Sequence, residues 1–322
     1  MVLFGKSFVI KVFIALGYIA VASCADLRCY DGSFENYQEY SLDDPTPLLN
    51  SSCFQSDRIT VFYVFGYNGQ ATGPSVERMI TVYLNKVNIL LLNWQQEAAV
   101  GILGPISYAV TAIPNAKRIG VQFANALIIL SNNGLSLSDV HLIGFSLGGQ
   151  LVGYTGEEVI KQGKIIKKIT CLEPAGPLYD GIISLPGVDA SVAEYVYAIH
   201  TNPGRLGTNE AVATVDIWVN CGNSVQPGCE ESGILGLFSN ENLCSHDLSW
   251  KYFAEALERP TAFLARSASD CDAWKQGEGR NQTIYLGDNI DTEARGNYYL
   301  RTNSSSPYGL GAVGSQPGPV NK

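Results

Sequence analysis

The sequence predicts an α/β protein built on a mostly parallel central sheet, and three observations support this. Apolar runs of strand length, rich in β-branched residues, alternate along the chain with longer segments of helical pattern. One such run, 140–143, leads directly into Gly-x-Ser-x-Gly around Ser146, and a helical segment follows at 151–160. Because a strand, a tight glycine-flanked turn and a helix follow each other without a break, Ser146 is predicted between a strand and a helix.

The remaining elements are assigned from the periodicity of apolar residues and from turn-forming residues. Strands are predicted at 59–65, 88–92, 140–143, 165–171, 195–200, 214–219 and 297–301. Helices are predicted at 74–86, 116–130, 151–160 and 245–257. Residues 25–57 are polar and irregular, so they are interpreted as an arm that lies along the surface.

The composition favours one domain, at 25–302. Of the 322 residues, 46% are hydrophobic, which is sufficient for a large core, and no second compositional region occurs. The last segment, 303–322, is rich in Ser, Pro and Gly, so it is expected to be a flexible tail.

The first 24 residues have the three-part layout of a secretory signal peptide. Lys6 and Lys11 precede an apolar run, 12–21, that is too short to span a bilayer, and small residues follow it. Residues 21–24 also resemble a bacterial lipid-attachment box, which is less favoured because glycosylation sequons occur downstream. Removal of the leader takes away two lysines and no acidic residue, so the formal net charge moves from −9 to −11. A net acidic chain without basic runs argues against nucleic acid and against electrostatic docking on anionic membranes.

Sequons and cysteines indicate a secreted, extracellular protein. Asn50, Asn281 and Asn303 each begin an Asn-x-Ser/Thr tripeptide in a polar context, and they are the predicted glycosylation sites. None of the eight cysteines lies in a CxxC pair or in a His/Cys cluster at zinc spacing. Structural disulfides are therefore expected, and neither a metal nor another cofactor is expected.

A serine is a poor nucleophile until a base takes its proton, and the chain contains three histidines. His141 lies inside the strand that leads to Ser146, so the sheet should hold it in place. His200 ends another predicted strand, where a histidine satisfied in the core is the simpler interpretation. His246 follows a loop at the start of a helix, and such a connection can reach the edge of a sheet. By elimination, His246 is the predicted base.

A carboxylate that orients the base should lie between the serine and the histidine in sequence. Glu173 comes just after the predicted strand 165–171, and the carboxyl ends of parallel strands are where such folds carry their sites. Asp180 and Asp189 are nearby alternatives, but they lie in loops. Glu173 is therefore the predicted acid.

The motifs around these residues are similar to those of the pancreatic lipase superfamily. Six segments occur in the family's order and rough spacing: 143–149 (Ile-Gly-Phe-Ser-Leu-Gly-Gly), 172–178 (Leu-Glu-Pro-Ala-Gly-Pro-Leu), 199–201 (Ile-His-Thr), 216–220 (Asp-Ile-Trp-Val-Asn), 226–229 (Gln-Pro-Gly-Cys) and 244–246 (Cys-Ser-His). The resemblance runs from about residue 59 to residue 299. The chain resembles the single-domain secreted lipases and phospholipases A1 of arthropods, because the C-terminal β-sandwich of vertebrate members has no counterpart here.

This resemblance implies an α/β-hydrolase fold without a C-terminal β-sandwich domain, and hydrolysis of lipid esters at a lipid–water interface. It implies that Ser146 is the nucleophile, Glu173 the acid and His246 the base. It also implies that the backbone N–H groups of Tyr67 and Leu147 stabilise the oxyanion. The alternative is a catalytically weak or inactive relative, of the yolk-protein type, that keeps the fold and binds lipid.

The chain departs from the family pattern close to these residues. The family usually has His at the positions of Phe65 and Phe145, Ala at that of Gly149 and Asp at that of Glu173. Glutamate is one methylene longer than aspartate, so its carboxylate must be directed at the histidine differently. Some relatives bind calcium through several carboxylates. Of those positions, only Asp189 carries a carboxylate in this chain, so no metal is predicted.

The interval between Cys229 and Cys244 is the lid over the active site in this family, although an ordinary surface loop would have the same composition. Its apolar residues are Ile234, Leu235, Leu237 and Phe238. Only residues 230–243 separate the two cysteines, whereas the triglyceride lipases of the family have longer insertions. A short lid leaves room for a polar headgroup at the mouth of the cleft, so phospholipid or galactolipid is favoured over neutral glyceride.

The cysteine pairing is predicted from the loops that each pair would close. Cys171 lies in an apolar strand and is the candidate free thiol. The predicted pairs are Cys29 with Cys53, Cys221 with Cys229, and Cys244 with Cys271. The rival to the last two pairs is a single bridge from Cys229 to Cys244, across the base of the lid.

Overall fold

One sheet of 11 strands runs through the described part of the chain, in the order β10-β9-β11-β8-β7-β6-β5-β3-β4-β1-β2. The computed structural model describes residues 25–99, 101, 106–182, 184–231, 236, 238–278 and 282–318. The seven strands from β11 to β4 in this order are parallel, and antiparallel strands flank them at both edges. The strands are β1 Asp26–Tyr30, β2 Tyr37–Ser41, β3 Thr60–Val64, β4 Asn88–Asn93, β5 Val140–Phe145, β6 Lys168–Leu172, β7 Tyr195–His200, β8 Val215–Val219, β9 Leu264–Ser267, β10 Thr283–Tyr285 and β11 Gly296–Leu300. The predicted parallel α/β architecture is confirmed.

The central strands are buried on both faces because helices cover the sheet. Every residue of β3, β5 and β7 is buried, as expected for parallel strands that are covered on both faces. None of the described helices is long and apolar enough to cross a membrane. The helices are α1 Pro74–Tyr83, α2 Gln95–Ala98, α3 Ile113–Asn132, α4 Leu147–Lys161, α5 Asn240–Glu258 and α6 Cys271–Lys275.

Helix α5 begins earlier than predicted, and this changes the setting of the candidate base. Ser239 is its N-cap, and the Ser239 hydroxyl accepts a hydrogen bond from the Asn242 N–H at 3.4 Å. His246 therefore lies in the second turn of the helix, where the helical backbone positions it.

The N-terminal segment is not the irregular arm that the sequence predicts. Strands β1 and β2 form an antiparallel hairpin, and β1 pairs with β4 at the edge of the sheet. Leu27 and Cys29 of β1 are fully buried and alternate with partly exposed residues. The prediction missed this strand because the alternation is only a few residues long. Cys29 is bonded to Cys53, as predicted.

The C-terminal segment is also more ordered than predicted, up to residue 318. Tyr308 packs against the main hydrophobic core, and a 3₁₀ helix forms at Ala312–Ser315. The Glu255 carboxylate accepts hydrogen bonds from the N–H groups of Tyr308 (2.8 Å) and Gly309 (3.0 Å). Because these contacts tie the segment to α5, the expectation of a flexible tail is wrong for residues 303–318.

The disulfides around the lid differ from the predicted pairs. Cys221 is bonded to Cys271, and Cys229 is bonded to Cys244, so the rival bridge across the lid base is the correct one. The prediction failed because it considered the loops that a pair would close, whereas pairing depends on which elements the fold brings together. Cys171 is buried and free, as predicted.

Candidate active site

Ser146 occupies a strained turn between β5 and α4. Its backbone has φ 56° and ψ −124°, a conformation that non-glycine residues rarely adopt and that occurs at functional sites. The flanking residues must be glycines because there is no room for a side chain at either position. A Cβ at Gly148 would collide with the Val64 carbonyl, and a Cβ at Gly144 with the Gly148 carbonyl. The turn is held by the Ser146 N–H, which donates to the Leu172 carbonyl at 3.0 Å.

The backbone on two sides of Ser146 fits the predicted oxyanion site. Leu147 is the first residue of α4, and N–H groups in the first turn of a helix have no partner within the helix. The loop after β3 lies against the serine, since a Cβ at Gly66 would be 2.6 Å from the Ser146 Cβ and 3.1 Å from its Oγ. Tyr67, the next residue, is therefore adjacent to Ser146.

Ser146 and His246 line the same cavity, which has a volume of about 440 Å³. The His246 ring is 3% exposed, and its centroid is 4.8 Å from that of the Phe145 ring. Burial lowers the pKa of His246 to about 3, so the imidazole is neutral at ordinary pH. Other residues around the cavity are Gly66, Tyr67, Leu206, Phe238, Asp247 and Trp250.

Glu173 is not bonded to His246. One carboxylate oxygen, Oε2, accepts hydrogen bonds from the Thr201 N–H, the Thr201 hydroxyl (2.7 Å) and the Asn202 N–H (2.7 Å). The other oxygen, Oε1, is buried without a hydrogen-bond partner in the described structure, and so is Nδ1 of His246. Of the three predicted triad members, Ser146 and His246 are therefore brought together, and Glu173 is held by the segment after β7.

The Glu173 carboxyl is fully buried, and this affects its ionisation. Burial raises its pKa to about 7, although His200 and the hydrogen bonds from Thr201 and Asn202 act in the opposite direction. The residue has φ 50°, so it also lies in a conformation that is uncommon for a side chain of this size. Thr201 and Asn202 were not predicted to contact the acid, although Thr201 belongs to the Ile-His-Thr motif.

The other two histidines have structural partners, as predicted. His141 Nε2 lies 2.7 Å from the Thr170 hydroxyl. His200 Nε2 lies 2.9 Å from Asp216 Oδ1, and its ring stacks on Trp218 with centroids 3.9 Å apart. Neither ring is among the residues that line the cavity.

The two alternative acids, Asp180 and Asp189, accept hydrogen bonds from loop residues. Asp180 accepts hydrogen bonds from the Thr208 hydroxyl and from the Asn209 N–H at 3.1 Å. Asp189 accepts from the N–H and the hydroxyl of Ser191, at 2.6 Å and 2.5 Å. Within the described ranges, no group of three or more His, Cys, Asp or Glu side chains could hold a metal ion.

The described part of the predicted lid contacts the cavity through Phe238. The Phe238 ring lies 5.3 Å from the Tyr67 ring and 5.7 Å from the Tyr108 ring, centroid to centroid. Tyr108 was not predicted to contact the lid, because it belongs to no predicted strand or helix. Ile234, Leu235 and Leu237 lie outside the described residues, as does the sequon residue Asn281, whereas Asn50 and Asn303 are exposed.

A parallel sheet with a strained serine between strand and helix, and a buried histidine that lines the same cavity, is typical of the α/β-hydrolase class of folds. The family model described as Lipase matches residues 29–308. The chain therefore belongs to the lipase family.

Individual relatives differ in how much of their length the chain matches. Phospholipase A1 of Vespa crabro is 28% identical over 285 residues, which cover 85% of this chain and 91% of that protein. Pancreatic lipase-related protein 3 of Homo sapiens is 29% identical over 301 residues, which cover 84% of this chain and 61% of that protein. Among solved structures, an α/β hydrolase enzyme from a Medee basin deep-sea metagenome library is 17% identical, with a TM-score of 0.33, and the match covers 57% of this chain and 66% of that one.

The raised pKa of Glu173 predicts a pH-dependent loss of stability. The unfolded carboxyl ionises near 4.5 and the folded one near 7, so the unfolded state releases its proton first as the pH rises between these values. The contribution of Glu173 to stability should therefore be full below pH 4.5 and be lost as the pH rises through 7, by on the order of 3 kcal/mol. Since Glu173→Gln removes this titration, the Tm of the variant relative to wild type should increase by about 5 °C between pH 4.5 and pH 8. A Tm difference that stays constant over this range, measured by thermal scanning, would contradict the ionisation of a buried Glu173.

Proposed function

We propose that this protein is a serine-dependent hydrolase of lipid esters. The observation that carries the proposal is the strained Ser146 in one cavity with a neutral, buried His246. A strained turn presents the serine hydroxyl, and a neutral imidazole can take its proton. Membership of the lipase family supports an ester as the substrate.

In the proposed reaction, Ser146 Oγ attacks the ester carbonyl while its proton passes to His246. The negative charge that develops on the carbonyl oxygen is stabilised by the N–H groups of Leu147 and Tyr67. The ester bond then breaks, the leaving alcohol takes the proton from His246, and an acyl-serine remains. Water attacks the acyl-serine with His246 again as the base, so that the fatty acid is released and Ser146 recovers its proton.

Glu173 is proposed to orient His246 and to stabilise the imidazolium. Nδ1 of His246 is a donor in the required tautomer, Glu173 Oε1 is an acceptor, and both are buried without partners. Unpartnered buried polar atoms cost about 1–3 kcal/mol each. A movement that joins the two atoms on substrate binding is therefore favoured, and catalytic hydrogen bonds often form only in the substrate complex.

The protein is proposed to act outside the cell. The three disulfides support this, because such bonds persist in oxidising compartments. The exposed Asn50 and Asn303 are proposed glycosylation sites, and residues 1–24 are the proposed signal peptide.

Phospholipid is the favoured substrate class, with the ester at the sn-1 position, ahead of galactolipid and neutral glyceride. The lid is short, since a bridge between Cys229 and Cys244 closes it over a sequence separation of 15. A short lid leaves the cavity open to a polar headgroup. The match to almost the full length of a phospholipase A1 supports the same class.

Side-by-side assays on phosphatidylcholine vesicles and triolein emulsions test this substrate class. We expect fatty acid release from phosphatidylcholine to exceed release from triolein at equal accessible lipid, and the lysophospholipid product to retain the sn-2 chain. Strong triolein hydrolysis with negligible release from phosphatidylcholine would reject the argument from the short lid. Protein carrying Ser146→Ala is the control for contaminating activity.

The second candidate is a catalytically weak or inactive lipid-binding relative. The observation that favours it is the hydrogen bonding of Glu173 to Thr201 and Asn202 in place of His246. Failure to hydrolyse phosphatidylcholine, triolein or a short-chain chromogenic ester, together with binding to phosphatidylcholine vesicles, would favour this function over the first.

A further inference from the structure

Gly207 lies directly against the buried oxygen of Glu173. A Cβ at position 207 would overlap Glu173 Oε1 outright and would lie 2.5 Å from its Cδ and 2.9 Å from its Cγ. These three atoms are the nearest to that Cβ position, and the φ of Gly207 lies outside the left-handed region that favours glycine. The backbone itself would accept any residue, so the Glu173 side chain is the reason that glycine is needed here.

The main chain at Gly207 has little freedom to move away. Its N–H donates to the Asn202 carbonyl at 3.1 Å, and its carbonyl accepts from the Gly204 N–H at 3.0 Å. Gly207 also forms bridges with Ala175 and Pro203. The carbonyl of Gly207 lies so close to Gly176 that a Cβ on Gly176 would collide with it. A larger residue at 207 must therefore displace Glu173.

The Glu173 carboxylate cannot be displaced without losing its hydrogen bonds. Oε2 is held by three donors from Thr201 and Asn202, and the side chain is fully buried. The Glu173 Cγ, which an aspartate would keep as its carboxyl carbon, is itself 2.9 Å from that Cβ position, so the clash is removed only when the side chain at 173 ends at Cβ. Positions 173 and 207 are thus matched in size: an acid at 173 needs a residue without a side chain at 207.

We propose that Gly207 is a positioning residue that fits the active site to a glutamate at 173. It provides the space in which the Glu173 carboxylate keeps its Thr201 and Asn202 hydrogen bonds while Oε1 stays unbound and available to His246. This inference rests on the proposed function, in which Glu173 is the acid of the triad. A methyl group at 207 removes that space, so it should impair the acid while leaving the cavity that binds the ester unchanged.

A double-mutant cycle of Gly207→Ala and Glu173→Ala tests the proposal, with kcat and KM measured on a short-chain chromogenic ester. We expect Gly207→Ala to lower kcat by about 10- to 100-fold with little change in KM, because misplacement of a catalytic group by about 1 Å has effects of this size. In the Glu173→Ala background, the same Gly207→Ala change should alter the residual kcat by less than about twofold, because alanine at 173 lacks the Cγ, Cδ and Oε1 atoms that the new methyl group would meet. Equal losses in both backgrounds, or a folded Gly207→Ala protein with wild-type or higher kcat, would overturn the proposal.

Two further measurements separate this inference from folding and from the proposed function. If Gly207→Ala alone does not fold, the proposal predicts that Glu173→Ala/Gly207→Ala folds with the Tm of Glu173→Ala, and a double variant that also fails to fold overturns it. Full activity in Glu173→Gln would reject the role of Glu173 as the acid and, with it, this inference. An inactive Glu173→Gln beside a fully active Gly207→Ala would reject the role of Gly207 alone.

Discussion

Replacement of Ser146 by alanine is expected to lower kcat for ester hydrolysis by about 10⁴-fold or more, because loss of a nucleophile leaves only the contribution of binding and the oxyanion site. The fold should be retained, since the interactions that hold the turn are made by the backbone and by the flanking glycines. The strained φ of 56° at position 146 remains in the variant. The measurement is release of chromophore from a short-chain ester by purified protein.

Ser138→Ala is the matched control, because Ser138 is an exposed serine that precedes the same strand, β5. This control should have wild-type kcat and wild-type Tm. A Ser146→Ala protein that turns over at the wild-type rate would show that another group is the nucleophile.

Glu173→Gln has the second largest expected effect, a fall in kcat of about 10³-fold or more. The neutral amide cannot stabilise the imidazolium that forms on His246 when it takes the serine proton. The fold should be retained, because the glutamine has nearly the same size and fills the same buried space beside Gly207. The loss should appear in kcat with little change in KM, since Glu173 is not among the residues that line the cavity.

Asp180→Asn and Asp189→Asn are the controls for the choice of acid. Asp180 accepts hydrogen bonds from Thr208 and Asn209, and Asp189 from Ser191. Neither aspartate lines the cavity, so their neutral variants should keep activity close to wild type. Full activity of Glu173→Gln, with a large loss in either control, would transfer the role of the acid to that aspartate.

The centre of the fold was predictable because its signals are local. Strands such as β5 and β7 are mostly apolar, with one histidine each, and the turn at Ser146 requires glycines that are visible in the motif. The edges of the sheet were not predictable in this way. In β2, four of the five residues are exposed, so no periodic burial marks the strand, and its position depends on pairing with β1.

The candidate site was predictable in its residue types but not in its contacts. Elimination among three histidines selected His246, which lines the cavity with Ser146, whereas the other two lie in strands and have side-chain partners. The direction of the Glu173 carboxylate depends on Thr201 and on Gly207, which come close to it only in the folded chain. The lid bridge between Cys229 and Cys244 likewise depends on where α5 begins, before Cys244.

Covalent labelling with a fluorophosphonate tests most directly the central claim that Ser146 is an activated nucleophile. Such a reagent phosphonylates a serine whose proton a neighbouring base removes, with loss of fluoride, and it remains attached for mass spectrometry. We expect a single adduct on the intact protein, mapped to the peptide that contains Ser146, with no adduct in Ser146→Ala and much slower labelling in His246→Asn. An unlabelled wild-type protein, or an adduct on any residue other than Ser146, would contradict the account.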